Sequence, residues 1–129
     1  MIDHIGIAAS DFGRSRTFYA QALAPLGRTL LMEVTAEQTG AHAHAGFGVA
    51  PKPDFWITDG PAMQTRVHVA FRAASRAQVD AFHAAALAAG GRDNGAPGLR
   101  PHYHPGYYAA FVLDPDGHNI EAVCHGMEP

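Results

Sequence analysis

The stretch Ile2-Asp3-His4-Ile5-Gly6-Ile7-Ala8 has a counterpart 64 residues later in Arg66-Val67-His68-Val69-Ala70-Phe71-Arg72. The two stretches have a similar pattern, and their histidines are in register. The same offset aligns five further identical pairs, which are Phe18 with Phe82, Ala20 with Ala84, Ala22 with Ala86, Leu23 with Leu87 and Gly27 with Gly91. Identities that stay in register over this length predict a duplicated module. The fold should therefore be built from two copies of one unit.

Each copy has the pattern of a strand, a helix and three further strands. Ser10 or Asp11 is a suitable N-cap for the first helix, and Ser75 with Gln78 has capping-box spacing for the second. The later strands are predicted near residues 28–35, 42–49 and 54–58, and near 98–104, 107–113 and 118–124. This order predicts an α+β fold with two βαβββ modules in tandem, whose sheets form a shared, trough-like mixed sheet. The whole chain, 1–129, is then one domain made of modules 1–60 and 61–129.

Composition excludes several classes of function. The chain is 47% apolar and 16% charged, so it can bury a core. Its net charge of −3 argues against nucleic acid or an anionic membrane as a partner. No apolar run approaches the roughly 20 residues of a membrane span. The single cysteine, Cys124, cannot form an internal disulfide, which favours a cytoplasmic location.

Two histidines and a carboxylate carry the clearest chemical signal. Because side chains alternate along a strand, His4 shares its face with Gly6 and His68 shares its face with Ala70, which leaves room above both rings. Glu121 lies in an apolar strand, where a carboxylate is costly to bury without a partner. Such a set binds Fe(II), Mn(II), Ni(II) or Zn(II) with open positions for substrate. The alternative is a pair of core histidines bonded to the backbone.

Three segments resemble the signatures of a known family. They are the opening Asp3-His4-Ile5-Gly6-Ile7, the central Val67-His68-Val69 and the closing Asp114-Pro115-Asp116-Gly117-His118-Asn119-Ile120-Glu121. The chain thereby resembles, over essentially its whole length, the vicinal oxygen chelate superfamily of glyoxalase, bleomycin-resistance and extradiol dioxygenase proteins. The resemblance implies a divalent metal held by His4, His68 and Glu121. It also implies Lewis-acid chemistry on a small substrate with two adjacent oxygens, through an enolate-like intermediate.

Departures from the family pattern narrow the range of reactions that we expect of this chain. Glyoxalase I proper needs a second glutamate, and the 64-residue offset places the counterpart of Glu121 at Ile57, so that activity is disfavoured. Extradiol dioxygenases have a tyrosine where this chain has Phe111, and fosfomycin-modifying members need a basic cluster where it has Arg100 alone. Lyase, isomerase and dioxygenase reactions remain open.

Several aromatic and histidine residues are candidates for contact with a substrate, one in the first module and the others in the second. The candidate substrate-binding residues are Trp56, Tyr103, Tyr107 and Tyr108. Either Phe55 or Trp56 must face the trough, because neighbouring strand residues point to opposite faces. His104 is the candidate catalytic acid or base near neutral pH. The alternative for this segment is a loop packed over the sheet, and His125 is interpreted as a surface residue.

Two functions follow from these features. The first is a metal-dependent enzyme acting on a small molecule, and the second is a metal-free binding or resistance protein that sequesters an aromatic compound. We also expect a homodimer, because an open trough of this size would expose apolar sheet edges.

Overall fold

The computed structural model describes residues 1–126 of the chain. Its strands are β1 (Ile5–Ala9), β2 (Thr29–Val34), β3 (His44–Val49), β4 (Lys52–Asp59), β5 (His68–Arg72), β6 (Arg92–Leu99), β7 (Tyr108–Leu113) and β8 (Asn119–Cys124). Its α-helices are α1 (Phe12–Ala22), α2 (Ala36–Thr39) and α3 (Arg76–Ala88), and a short 3₁₀ helix covers Ala24–Leu26. The βαβββ order therefore occurs twice, with the short α2 added in the first copy.

The eight strands form two sheets with the same topology. The first has the order β1-β4-β3-β2 and the second has the order β5-β8-β7-β6. In each sheet the opening strand pairs in parallel with the last strand of its module, and the other pairs are antiparallel. The predicted α+β fold with tandem modules is confirmed.

The predicted caps begin both long helices. The Asp11 carboxylate accepts the amide N–H of Arg14 at 3.2 Å, and Ser75 Oγ accepts the amide N–H of Gln78 at 3.2 Å. The side-chain oxygen of Gln78 accepts the amide N–H of Ala74 at 2.8 Å, so it satisfies the donor just before the cap. These bonds fill positions that an uncapped first turn leaves without partners.

One hydrophobic core joins the two modules. The buried side chains of α1, of α3 and of one face of each sheet form a single cluster. Within it, the ring of Phe55 on β4 packs edge-on against that of Phe71 on β5, with centroids 5.2 Å apart. Burying each such ring contributes about 1.5–3 kcal/mol. Each sheet therefore has one face covered by helices and an opposite face that we call its open face.

A buried polar contact also links the modules. The hydroxyl of Tyr19, on α1, donates to Asp114 Oδ2 at 2.5 Å, in the turn between β7 and β8. The other oxygen of Asp114 accepts the amide N–H groups of Asp116 and His118, each at 2.9 Å. Burial and the negative charge of Asp114 raise the pKa of Tyr19 well above its ordinary value.

The prediction for one strand was wrong. A strand was expected near residues 98–104, whereas β6 spans Arg92–Leu99 and residues beyond it form a turn closed by Arg100 N–H donating to Tyr107 O at 2.7 Å. The sequence pattern did not indicate this strand because it contains Gly95, Pro97 and Gly98, and glycine and proline are poor strand formers. Its pairing with β7 is accordingly irregular, with two register shifts. None of the helices within residues 1–126 is long and apolar enough to cross a membrane.

Candidate functional site

Glu121 lies at the centre of the open face of the second sheet. It pairs with Ala70 of β5 and Phe111 of β7, while its neighbours along β8 point into the core. Its side chain is only 1% exposed because two side chains cover it. His68 Nε2 lies 2.8 Å from one carboxylate oxygen, and the Tyr107 hydroxyl donates to the other. The buried carboxylate thus has the partners that its desolvation requires.

His68 covers the carboxylate and remains accessible on its outer side. The His68 side chain is 52% exposed. Its position at the start of β5 is fixed by His118, whose Nδ1 accepts the amide N–H of Val67 at 3.0 Å. His118 is fully buried. Nothing in the sequence spacing distinguishes His118 from a solvated turn residue, so its supporting position was not predicted.

His4 lies apart from this pair. Its side chain is 59% exposed, and its Nδ1 is 2.7 Å from Asp3 Oδ1. Hydrogen bonds from Lys52 and from His4 lower the pKa of the Asp3 carboxyl. His4 and His68 line the same cleft, which has a volume of about 360 Å³. Within residues 1–126, however, no three His, Cys, Asp or Glu side chains are grouped closely enough to hold a metal ion.

Trp56 provides a flat wall on the open face of the first sheet. Its neighbour Phe55 is buried in the core, so the indole points to the opposite side. A Cβ at Gly46 would come within 2.8 Å of the indole, which shows how closely the ring lies over β3. Trp56 borders a cavity of about 620 Å³ that also contacts His44 and Pro53.

The register of the strands identifies Trp56 as the counterpart of Glu121. Gly6 pairs with Trp56 just as Ala70 pairs with Glu121, so the offset between these two strands is 121 − 56 = 65. The assignment of Ile57 as that counterpart was wrong by one residue, because loops of different length separate the strands in the two modules. The first module therefore presents an indole where the second presents a carboxylate.

The candidate aromatic residues of the second module divide between two faces. The ring of Tyr107 lies 4.8 Å from that of Tyr103 and 5.3 Å from that of His104, beside Glu121. Burial, followed by the hydrogen bond to Glu121, raises the pKa of Tyr107 to about 12. Tyr108 points to the helix side, where its hydroxyl donates to Asp80 at 2.7 Å. The structure thus brings Tyr103, His104 and Tyr107 together and leaves Tyr108 outside the group.

Part of the predicted ligand set, the pair of Glu121 and His68, suits a divalent transition metal. Glu121 and His68 supply one anionic oxygen and one imidazole nitrogen in direct contact, which is a ligand pair common to Fe, Mn, Ni and Zn sites. The outer side of His68 opens onto solvent, so further ligands and a substrate have access. His4 is of the right chemical type and lies at the same cleft, but it needs to move to join the pair.

Comparisons with known proteins agree with this architecture. The family model described as "Glyoxalase/Bleomycin resistance protein/Dioxygenase superfamily" matches residues 1–122. A glyoxalase/bleomycin resistance protein from Albidiferax ferrireducens T118 is 25% identical, with a TM-score of 0.70 over 95% of this chain and 96% of that one. No curated protein matches the sequence.

Two further solved structures share the fold. A glyoxalase I mutant from Zea mays is 24% identical with a TM-score of 0.69, and the match covers 95% of this chain and 46% of that one. The present chain thus spans about half of the maize chain. The fosfomycin resistance protein FosX from Listeria monocytogenes, in complex with Mn(II) and sulfate, is 17% identical with a TM-score of 0.69, covering 96% and 91% of the two chains.

Proposed function

Because this chain belongs to the Glyoxalase/Bleomycin resistance protein/Dioxygenase superfamily, we propose that it is a small metal-dependent enzyme of the lyase, isomerase or dioxygenase type. Its substrate would be a small molecule with two adjacent oxygens. The observation that carries the proposal is the buried Glu121 carboxylate in contact with the half-exposed His68 ring. Glyoxalase I activity proper is disfavoured, because Trp56 occupies the position of the second glutamate that the family resemblance requires.

In this proposal His68, Glu121 and His4 hold a divalent Fe, Mn, Ni or Zn ion. The ion would act as a Lewis acid toward the oxygens of the bound molecule. Recruiting His4 is inexpensive, because its present partner is the exposed Asp3 and an exposed ion pair contributes only about 0–1 kcal/mol. FosX, which has the same fold, was crystallised with Mn(II), and this supports the choice of metals.

Residues around the pair have supporting roles. The Tyr107 hydroxyl holds one oxygen of Glu121 and so fixes the orientation of the carboxylate, as partners of metal ligands commonly do. Tyr103, 60% exposed beside Tyr107, is positioned to contact the substrate. The candidate acid or base for proton transfer is His104, whose ring lies 5.3 Å from that of Tyr107.

A homodimer is part of the proposal. Met32 and Val49, on adjacent strands of the first sheet, are large apolar side chains exposed at 48% and 60%. A second copy packing against these side chains would remove such surface from water. The buried single Cys124 is compatible with the cytoplasmic location that we propose.

A second candidate function is metal-free binding of a flat aromatic molecule. The cavity of about 620 Å³ over Trp56 favours it, because an indole face with Pro53 and His44 alongside suits stacking. In this reading the protein sequesters its ligand and transforms nothing. Glu121 and His68 would then form an ordinary hydrogen-bonded pair.

Metal content decides between the two functions. Protein purified without chelator or affinity nickel is analysed by elemental mass spectrometry, as wild type, as His68→Ala and as the exposed control His102→Ala. We expect near-stoichiometric metal in the wild type and the control, and its loss in His68→Ala. Metal that survives in His68→Ala would show that the ligand assignment is wrong. Protein that stays empty after incubation with Fe(II), Mn(II), Ni(II) and Zn(II) would favour the binding function.

A further inference from the structure

A pair of histidines lies beside the site without touching Glu121. His104 Nε2 is 2.9 Å from His125 Nδ1, and their rings stack with centroids 5.1 Å apart. His125 follows β8 and continues the alternation that places Glu121 on the open face. Its ring lies edge-on to Tyr107 at 5.4 Å, and the Tyr107 hydroxyl reaches Glu121. The histidine pair is therefore one aromatic ring away from the proposed metal ligands.

Hydrogen bonds fix the protonated nitrogen of each ring. The amide N–H of Gly106 donates to His104 Nδ1 at 3.2 Å. A ring nitrogen that accepts a hydrogen bond carries no proton, so neutral His104 is protonated on Nε2. That N–H points at His125 Nδ1, which must accept it. Neutral His125 is consequently protonated on its Nε2.

We propose that His125, and not His104, is the histidine that hydrogen-bonds the bound molecule, and that His104 is a positioning residue for it. Both nitrogens of His104 already have partners, whereas Nε2 of the exposed His125 donates to no acceptor within residues 1–126. The recognised group is an acceptor oxygen such as a carbonyl, carboxylate or phenolate. This inference rests on the proposed function, because it places that oxygen on a molecule bound at Glu121.

A metal ion between the two rings is the main competing explanation. Nitrogens 2.9 Å apart fit two ligands at a right angle, given metal–nitrogen bonds of about 2.0–2.1 Å. A ligating histidine, however, usually donates its other N–H to an acceptor. His104 does the opposite, because its other nitrogen accepts from Gly106. The observed bonds therefore favour a hydrogen-bonded pair.

The protonation pattern can be measured directly. Long-range proton–nitrogen NMR correlations on the full chain, well above the ordinary histidine pKa of about 6.5, report which nitrogen of each ring carries the proton. We expect Nε2–H for both rings, a mixture of both forms for His125 in His104→Ala, and recovery in His104→Gln, which retains an N–H donor. A proton on Nδ1 of His104 would overturn the proposal. So would a zinc-induced shift of both rings in His68→Ala, since it would reveal a metal between them.

Ligand binding tests the role of the pair. The probe is a nitrocatechol, which has two adjacent oxygens, titrated by absorbance into protein loaded with Zn(II). We expect His125→Ala to weaken binding roughly 2–10-fold, the range of one hydrogen bond. His104→Ala should weaken it less, and His104→Gln should restore it. The control His42→Ala, at an exposed residue of the first module, should leave it unchanged.

Zinc content, measured in the same samples, separates the two proposals. If the wild type holds no zinc while both rings show Nε2–H, the proposed enzyme function fails and the assigned tautomers stand. If zinc is fully bound but His125→Ala binds the probe as the wild type does, the inference about His125 fails and the metal site stands. If zinc-loaded wild type does not bind the probe, the assigned class of ligand is wrong.

Discussion

Replacing Tyr19 by phenylalanine would test the buried link between the two modules. Tyr19 is fully buried, and its hydroxyl is the donor to Oδ2 of Asp114, a residue that is 3% exposed. The phenylalanine ring fills nearly the same volume, so packing should change little. The variant leaves one oxygen of a buried carboxylate without this donor, while the two amide bonds to the other oxygen remain.

The expected loss of stability is about 2 kcal/mol. Hydrogen bonds to charged groups contribute roughly 1.5–3 kcal/mol, and an unsatisfied buried acceptor costs a similar amount. For a domain of 129 residues, this loss lowers the thermal midpoint by roughly 6–10 °C.

The loss of stability in Tyr19→Phe should become smaller as the pH rises. The pKa of Tyr19 is raised in the folded protein, so the unfolded chain releases this proton near pH 10 while the folded chain retains it. The contribution of Tyr19 is therefore complete below about pH 10 and decreases as the pH rises, by about 1.4 kcal/mol per pH unit. Phenylalanine has no such proton, so the difference between wild type and variant should shrink in alkali.

Urea unfolding followed by circular dichroism, near neutral pH and about one unit above pH 10, measures both effects. Tyr103→Phe is the control, because Tyr103 is 60% exposed and should lose little on substitution. A neutral-pH difference below about 0.5 kcal/mol for Tyr19→Phe would refute the argument from the buried bond. An equal difference at both pH values would refute the argument from the raised pKa.

Four further changes test the site and the packing. Glu121→Gln keeps the shape of the side chain but removes the anionic ligand, so bound metal in elemental analysis should be lost while the circular dichroism spectrum is kept. A Cβ at Gly91 would lie 2.6 Å from its nearest side-chain carbon, so Gly91→Ala should destabilise by about 1–3 kcal/mol in urea unfolding. Gly13→Ala, on an open helix surface, should instead stabilise by about 0.5–1 kcal/mol. Gly46→Ala should displace the indole of Trp56, the single tryptophan, and shift its fluorescence emission.

The repeat in the sequence predicted the order of elements because hydrophobic periodicity and capping residues are local signals. Asp11 and Ser75 begin their helices as expected. Strand β6 was misplaced because its glycines and proline carry no such signal, and its pairing with β7 determines where it lies. The constant 64-residue offset wrongly gave Ile57 as the counterpart of Glu121, because the repeat pattern carries no information on the lengths of the connecting loops.

The candidate site was predicted only as far as strand alternation allows. Alternation required Phe55 and Trp56 to point to opposite faces, and Phe55 is the one buried in the core. It could not decide between Tyr107 and Tyr108, because the turn before β7 determines which of them faces Glu121. The contact of His104 with His125 joins a residue of that turn to the residue that follows β8, and it likewise depends on how the turn folds back.

The equivalence of Trp56 and Glu121 bears on how a protein of this design can change over time. After a module has been duplicated, a residue in one copy can change while its counterpart in the other copy keeps the original role. Under the proposed function, an altered side chain at Trp56 would change which molecules are held, whereas an altered side chain at Glu121 would change what is done to them. Selectivity and reactivity then reside at corresponding points of the two halves, and each can be inherited and revised without the other.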